Sequence, residues 1–416
     1  MDVIIVGAGL AGLVAATTLA RAGRTVTVFE RAGAAGGRAI TTRVGGADGD
    51  YALNLGPHAL YTGGAAARVL AGLGVRAEGR DPGNGGHVLA RDALHALPGT
   101  PWTFLTTSLF DTTGRVKALG FVRRLLFDDA DALDRVSVTD WLAPLTDPTT
   151  QAWARAMVRV FTYANDPDRQ SAGAVLRQAR LAVRSGVRYL DGGWGTLVDG
   201  LTAAATTAGV TLRTGAEVDA LDTTGASPRV HVDGAWLDAR AVLVATPLPA
   251  ARRLLPELPT APSIRAACLD LALARPTPAS PPVRFVLGVD RPLYLSVHSA
   301  TARLAPAGGM VAHVAHYLGP DEHPDLAELE ALADRALPGW RAQVVSRRWM
   351  PALTVASGFS LAAGPRPGVV ARPGVWVAGD WVGPEGELAD TAAASAVMAA
   401  AGIVAAGAEV GGRAVE

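Results

Sequence analysis

The chain is poor in cysteine and lysine, two of the side chains used for covalent chemistry. Its 416 residues include one cysteine, Cys268, and one lysine, Lys117, against 37 arginines. A single cysteine excludes an intramolecular disulfide framework and any multi-cysteine metal or iron–sulfur centre. A reducing, cytoplasmic setting is the natural expectation, with peripheral membrane contact left open. An excess of charge is also missing, since 38 basic and 38 acidic side chains cancel. That balance removes the electrostatic argument for nucleic acid or an anionic membrane as partner. Charged residues make up 18% of the chain and apolar ones 49%, too apolar and too lightly charged for disorder, so a sizeable core is expected. Long hydrophobic runs are scarce. Residues 3–20 are uncharged but lack a basic leader and contain Gly7, Gly9 and Gly12, while 392–408 is mostly alanine and short for a span. No integral membrane segment is expected. Glycine and proline, by contrast, are abundant at 48 and 27 residues with no collagen-like period, which points to turns and close backbone approaches.

The strongest pattern lies in the first 45 residues. Asp2 to Val6 is a continuous β-branched run of the kind buried in a parallel sheet, and Gly7-Ala-Gly9-Leu-Ala-Gly12 follows at once. Leu13 to Ala22 reads as a helix stopped by Gly23, and Thr25 to Phe29 as a second strand ending in Glu30. A glycine-rich turn alone is a weak signal. Between a strand and a helix, with an acidic residue closing the next strand, it becomes a dinucleotide-binding βαβ unit. The helix N-terminus would hold a pyrophosphate and Glu30 a ribose diol. A carboxylate at that position repels a 2′-phosphate, which favours FAD or NAD over NADP.

Farther along, Thr100 to Arg188 is helix-like, with apolar residues three and four apart in Phe121–Leu126, Thr150–Val160 and Ala172–Val183. The α/β pattern returns near Trp194, with a helix over Thr196–Ala208, strands over Val210–Arg213 and Glu217–Leu221, and another over Ala241–Ala245. Alternating runs at 266–273, 285–289, 293–298, 310–317 and 342–349, with a helix over 326–337, predict a sheet with a covering helix. A short strand, Val375–Ala378, runs into Gly379-Asp380, and Asp390 or Thr391 is placed to cap an alanine-rich last helix.

Gly7-Ala-Gly9-Leu-Ala-Gly12, Glu30-Arg31, Gly36-Gly37-Arg38 and the late Gly379-Asp380 together resemble the flavoprotein superfamily of phytoene desaturases, protoporphyrinogen oxidases and flavin amine oxidases. The resemblance is carried by about half the chain. It implies an α/β fold: a discontinuous Rossmann-like FAD-binding domain over 1–75, 190–260 and 352–416, and a second, mixed domain over 76–189 and 261–351. That second domain would combine a helical insert with an antiparallel sheet and hold the substrate. The resemblance further implies noncovalent FAD, with Gly7, Gly9, Leu10, Ala11 and Gly12 at the pyrophosphate, Glu30 at the ribose, and Arg31, Gly36, Gly37 and Arg38 along the pyrophosphate and flavin. Gly56, Pro57 and His58 would pass beside the flavin ring, Val218 would meet the adenine, Ala245 would lie at the strand end under the cofactor, and Gly379 and Asp380 would make a ribityl or pyrophosphate-side contact. The last helix departs from the glycine and following Ser-Gly usual in the family, the matching positions here being Thr391, Ser395 and Ala396. A Thr391 at that N-terminus still serves, whereas Asp390 reads more readily as an N-cap.

In many flavin amine oxidases of this superfamily a lysine reaches the flavin through water. Here Lys117 lies in the helical insert, outside every flavin motif, and no aromatic residue follows Trp381. Desaturation or dehydrogenation of a largely apolar isoprenoid or secondary metabolite is therefore expected, with oxygen, a quinone or another group as electron acceptor. Three alternatives stand beside it: amine oxidation, a redox-neutral flavin-dependent isomerisation, and a non-catalytic escort on the same fold. His58 is the leading side-chain candidate for proton transfer, against a plain hydrogen-bonded packing role. His298, His313 and His316 are expected on strands, the last two on opposite faces, which disfavours a metal site. Trp349 and Trp381 are read as core or as pocket lining. Arg177, Arg180 and Arg184, at helical spacing, are expected to form a solvated face.

Overall fold

Four consecutive fully buried residues, Val3–Val6, can be satisfied only by a strand covered on both faces and paired on both edges. In the computed structural model, which describes residues 1–275 and 283–412, that strand is central in a six-stranded sheet. The order is Thr211–Thr214, Val26–Glu30, Val3–Val6, Ala241–Val244, Val375–Val377 and Val370–Arg372. The first five are parallel and the last is antiparallel. The sheet thus draws on the start, the middle and the end of the chain. Helix Leu10–Arg21 packs on it beside helices Gly195–Thr207 and Leu388–Gly412. The first helix begins three residues earlier than its hydrophobic pattern suggested, with Gly9 as N-cap. The last helix is long and apolar enough to cross a membrane, yet Ala393, Ala396, Ala399 and Ala400 are fully buried in the same core as Ile4, Val14 and Val242.

A second, seven-stranded sheet runs in the order Val344–Ala356, Ile264–Leu273, Met310–Leu318, Leu293–Ser296, Phe285–Gly288, His87–Ala90 and Ala93–Ala96. Alternate residues of its central strands feed two cores. Ala267, Leu269 and Leu271 meet helix Leu326–Ala336 through Leu329, Leu332 and Ala333. Ala266, Cys268 and Ala315 share a cluster with Phe121, Trp141 and Trp153 of helices Thr112–Phe127, Val138–Leu142 and Pro148–Thr162. Segment 76–189 is therefore not purely helical, because His87–Ala96 supplies two strands to this sheet. His298 also differs from expectation: it occupies a single 3-10 turn after Ser296 rather than the strand itself.

Candidate active site

A cavity of about 650 Å³ is lined by residues of both sheets. At one end it meets the turn after the first strand. Gly12 is required there by close approach, since a Cβ would lie 1.9 Å from the Gly7 carbonyl oxygen, so no larger residue lets the helix sit on the strand. At Gly9 an added Cβ would meet nothing within 4 Å, so the backbone faces open space. No side chain caps this helix and its first turn holds no acid, which leaves its positive end free for an anion. The Glu30 carboxylate is fixed at the strand end by the Ala8 and Ala32 N–H groups at 2.8 and 2.9 Å.

Of the residues singled out from sequence, Gly7, Gly9, Leu10, Ala11, Glu30, Arg31, Gly36, Gly37, Arg38, Pro57, His58, Val218, Ala245, Gly379, Asp380 and Asp390 line this one cavity. Gly12, Gly56 and Thr391 stand behind its wall. Gly12 and Gly56 act by close packing, and Thr391 is fully buried with its hydroxyl unpartnered. Arg38 is not a free cation: its Nη2 lies 2.7 Å from Asp380 Oδ2, which also accepts the Ser357 N–H at 3.0 Å. The other oxygen of Asp380 is buried without a partner.

Two of the titratable groups bordering the cavity are His58 and Asp390, and for Asp390 the expectation changes. His58 borders the cavity with Nδ1 3.1 Å from the Gly56 carbonyl oxygen and its ring 5.0 Å from that of Trp194. Burial lowers its pKa to about 4, so the imidazole is neutral near pH 7. Asp390 is not the N-cap of the last helix, which begins at Leu388. Its Oδ1 instead accepts the Ala66 N–H at 2.8 Å, at the start of helix Ala65–Gly72. Burial raises this carboxyl to about 6, and Oδ2 has no partner.

The far end of the cavity is made of residues that carry no motif: Tyr61, Tyr163, Ala266, Cys268, Ala315 and Leu353. Tyr61 donates to the Phe161 carbonyl at 2.7 Å, and Tyr163 ends its helix with φ +61°, an uncommon conformation outside glycine. Neither Trp349 nor Trp381 lines the cavity; Trp381 is buried and donates to the Thr246 carbonyl at 3.1 Å. Arg177 and Arg184 are exposed, Arg177 pairing with Asp131 and Asp134, whereas Arg180 is half-buried and donates to the Leu125 and Asp128 carbonyls at the end of helix Thr112–Phe127. His313 and His316 each pair with carboxylates, and no cluster fit to bind a metal occurs among the described residues.

An open helix N-terminus, a fixed carboxylate at the second strand end, and a buried unpartnered oxygen on Asp380 fit an FAD lying along this wall. Comparison with known proteins agrees. The family model for flavin containing amine oxidoreductases matches residues 10–404. A Mycobacterium tuberculosis protein assigned to the flavin-containing monoamine oxidases is 30% identical over 266 residues, 59% of this chain and 57% of that relative. Among solved structures, an oxidoreductase from Methanosarcina mazei superimposes with a TM-score of 0.73 at 20% identity, covering 97% of this chain and 100% of the other. A protein of Exiguobacterium sp. 255-15 assigned as a protoporphyrinogen oxidase gives 0.72 at 16% identity, covering 97% and 98%. At such identities the likeness is one of fold.

Proposed function

The chain belongs to the flavin-containing amine oxidoreductase family, and from that membership we propose that it is an FAD-dependent oxidoreductase acting on a largely apolar small molecule by desaturation or dehydrogenation. The observation that carries the substrate class is the far end of the cavity, where Tyr61, Tyr163, Ala266, Cys268, Ala315 and Leu353 offer carbon surface and little charge. The family cofactor, when bound, supplies the hydride acceptor, and the protein supplies placement and electrostatics.

In this reading the backbone of Gly7, Gly9, Leu10 and Ala11 holds the pyrophosphate at the open helix end. Glu30 accepts from the adenosine ribose, Val218 meets the adenine, and Ala245 lies at the strand end under the cofactor. Arg38, kept in place by Asp380, lies along the pyrophosphate. The apolar wall excludes water and fixes a substrate C–H at reacting distance. His58, neutral, serves as packing and as a hydrogen-bonding group. The parallel-sheet segments 1–75, 190–260 and 352–416 then form the cofactor domain, and 76–189 with 261–351 the substrate domain. A cytoplasmic setting and an acceptor such as oxygen or a quinone complete the proposal.

Amine oxidation is the second reading, favoured by the relative from Mycobacterium tuberculosis and by the unpartnered oxygen of Asp390 beside the cavity. Against it stands Lys117, exposed on helix Thr112–Phe127 and no part of the cavity wall. Anaerobic mixing of the FAD-loaded protein with simple alkylamines and with hydrogenated or unsaturated isoprenoids separates the two. Bleaching of the flavin by isoprenoids and not by amines is expected, and the reverse would overturn the proposed substrate class.

A further inference from the structure

Strand register places an ionic row on the cavity side of the seven-stranded sheet. Asp270 lies directly opposite Arg348 on one neighbouring strand and His313 on the other, and His313 lies opposite Ser296. Residues opposite one another share a face, and so do residues two apart. Asp270 therefore shares its face with Cys268 and Ala266, and His313 with Ala315, all of which line the cavity. A fully buried carboxylate beside an apolar cavity is costly unless it is paired, and Asp270 is. It lies 2.6 Å from Arg348 Nη2 and 2.6 Å from His313 Nδ1, and it accepts the Gly56 N–H at 3.4 Å.

Arg348 extends the same grip, donating to the Asn54 carbonyl and, at 3.2 Å, to the Thr42 hydroxyl. The turn over residues 54–56 is thus tied to the sheet at both ends. Only glycine fits at its second end: Gly56 has φ +72°, and a Cβ there would lie 2.9 Å from Cys268 Sγ. The next two residues, Pro57 and His58, are cavity wall.

We infer that Asp270 and Arg348 are positioning residues that clamp the 54–58 turn beneath the cofactor and balance each other's charge there. The inference rests on the FAD reading above. Burial is the main reason that His58 stays neutral, but His313 and Asp270 also act on it in opposite directions, so the field of the row reaches the cavity wall.

The test uses the full chain loaded with FAD, the dissociation constant being read by titration and the midpoint potential by anaerobic dye-coupled reduction. Asp270→Asn uncovers the guanidinium, which should raise the dissociation constant about ten- to a hundredfold and shift the potential positive. Arg348→Gln uncovers the carboxylate and should weaken binding by a similar factor while shifting the potential negative. A mere packing role would not produce shifts of opposite sign. Shifts of the same sign, or an unchanged dissociation constant in soluble variants, would overturn the inference. If Asp270→Asn does not fold, Arg348→Gln decides alone, its side chain being 24% exposed. Weaker binding with a negative shift supports the clamp, and no shift overturns it. A wild-type chain that takes up no FAD overturns the FAD reading and this inference with it; normal uptake with unaltered variants overturns this inference alone.

Discussion

His58 and Asp390 sit at the same cavity and respond to acid in opposite senses. For His58 the folded pKa is about 4 against an ordinary 6.5, so between those values the unfolded chain binds more protons and stability falls as the pH drops. Urea midpoints measured at pH 7 and pH 5 should therefore fall further for the wild type than for His58→Gln, and equal losses would contradict the buried neutral imidazole. For Asp390 the folded carboxyl is at about 6 against 3.8, so the folded chain binds more protons and stability falls as the pH rises through that window. Asp390→Asn keeps an acceptor for the Ala66 N–H and should gain stability over the wild type at pH 8 relative to pH 4. Lys117 carries a third prediction. It is exposed and remote from the cavity wall, so Lys117→Met should leave turnover unchanged, and a loss above about tenfold in kcat would restore a lysine to the mechanism.

The first turn shows how much of an element is legible in sequence. Gly9 and Gly12 belong to one motif, yet the space around them is opposite. Gly12→Ala drives a Cβ into the Gly7 carbonyl and should cost about 3 kcal/mol or more, read as a lowered thermal midpoint with lost FAD uptake. Gly9→Ala meets nothing in the protein and should fold with near wild-type stability while weakening FAD binding, because the methyl enters the cavity. If both variants melt alike, the distinction fails. The βαβ unit was readable because its parts are adjacent: strand, glycines, helix and Glu30 follow in 30 residues. Asp390 was misread because its partner, the Ala66 N–H, lies 324 positions away. Nothing local distinguishes a carboxylate that caps its own helix from one that reaches another. The ionic row was invisible for the same reason, since Asp270 meets His313 only through the register of strands 43 residues apart.

At the scale of the whole molecule, the mostly parallel sheet assembled from three stretches of the chain matches the sequence expectation, because its central strands Val3–Val6, Val26–Glu30 and Ala241–Val244 each carry their own buried run. The part of the cavity wall that carries no motif was not legible. Tyr61, Tyr163, Cys268 and Leu353 reach it from separate elements, each of a residue type that is ordinarily core. The zero net charge gains meaning at this scale. Charge is organised in pairs such as Arg38 with Asp380 and Arg348 with Asp270, both beside the cavity, rather than spread as a field over the surface. The central claim, that this cavity holds FAD for oxidation of an apolar substrate, is tested most directly by the visible absorption spectrum of the purified chain titrated with FAD. The account predicts uptake of one FAD per chain, with a resolved flavin band near about 450 nm that bleaches on anaerobic addition of an apolar hydride donor. No uptake, or a bound flavin that only simple amines can bleach, would contradict it.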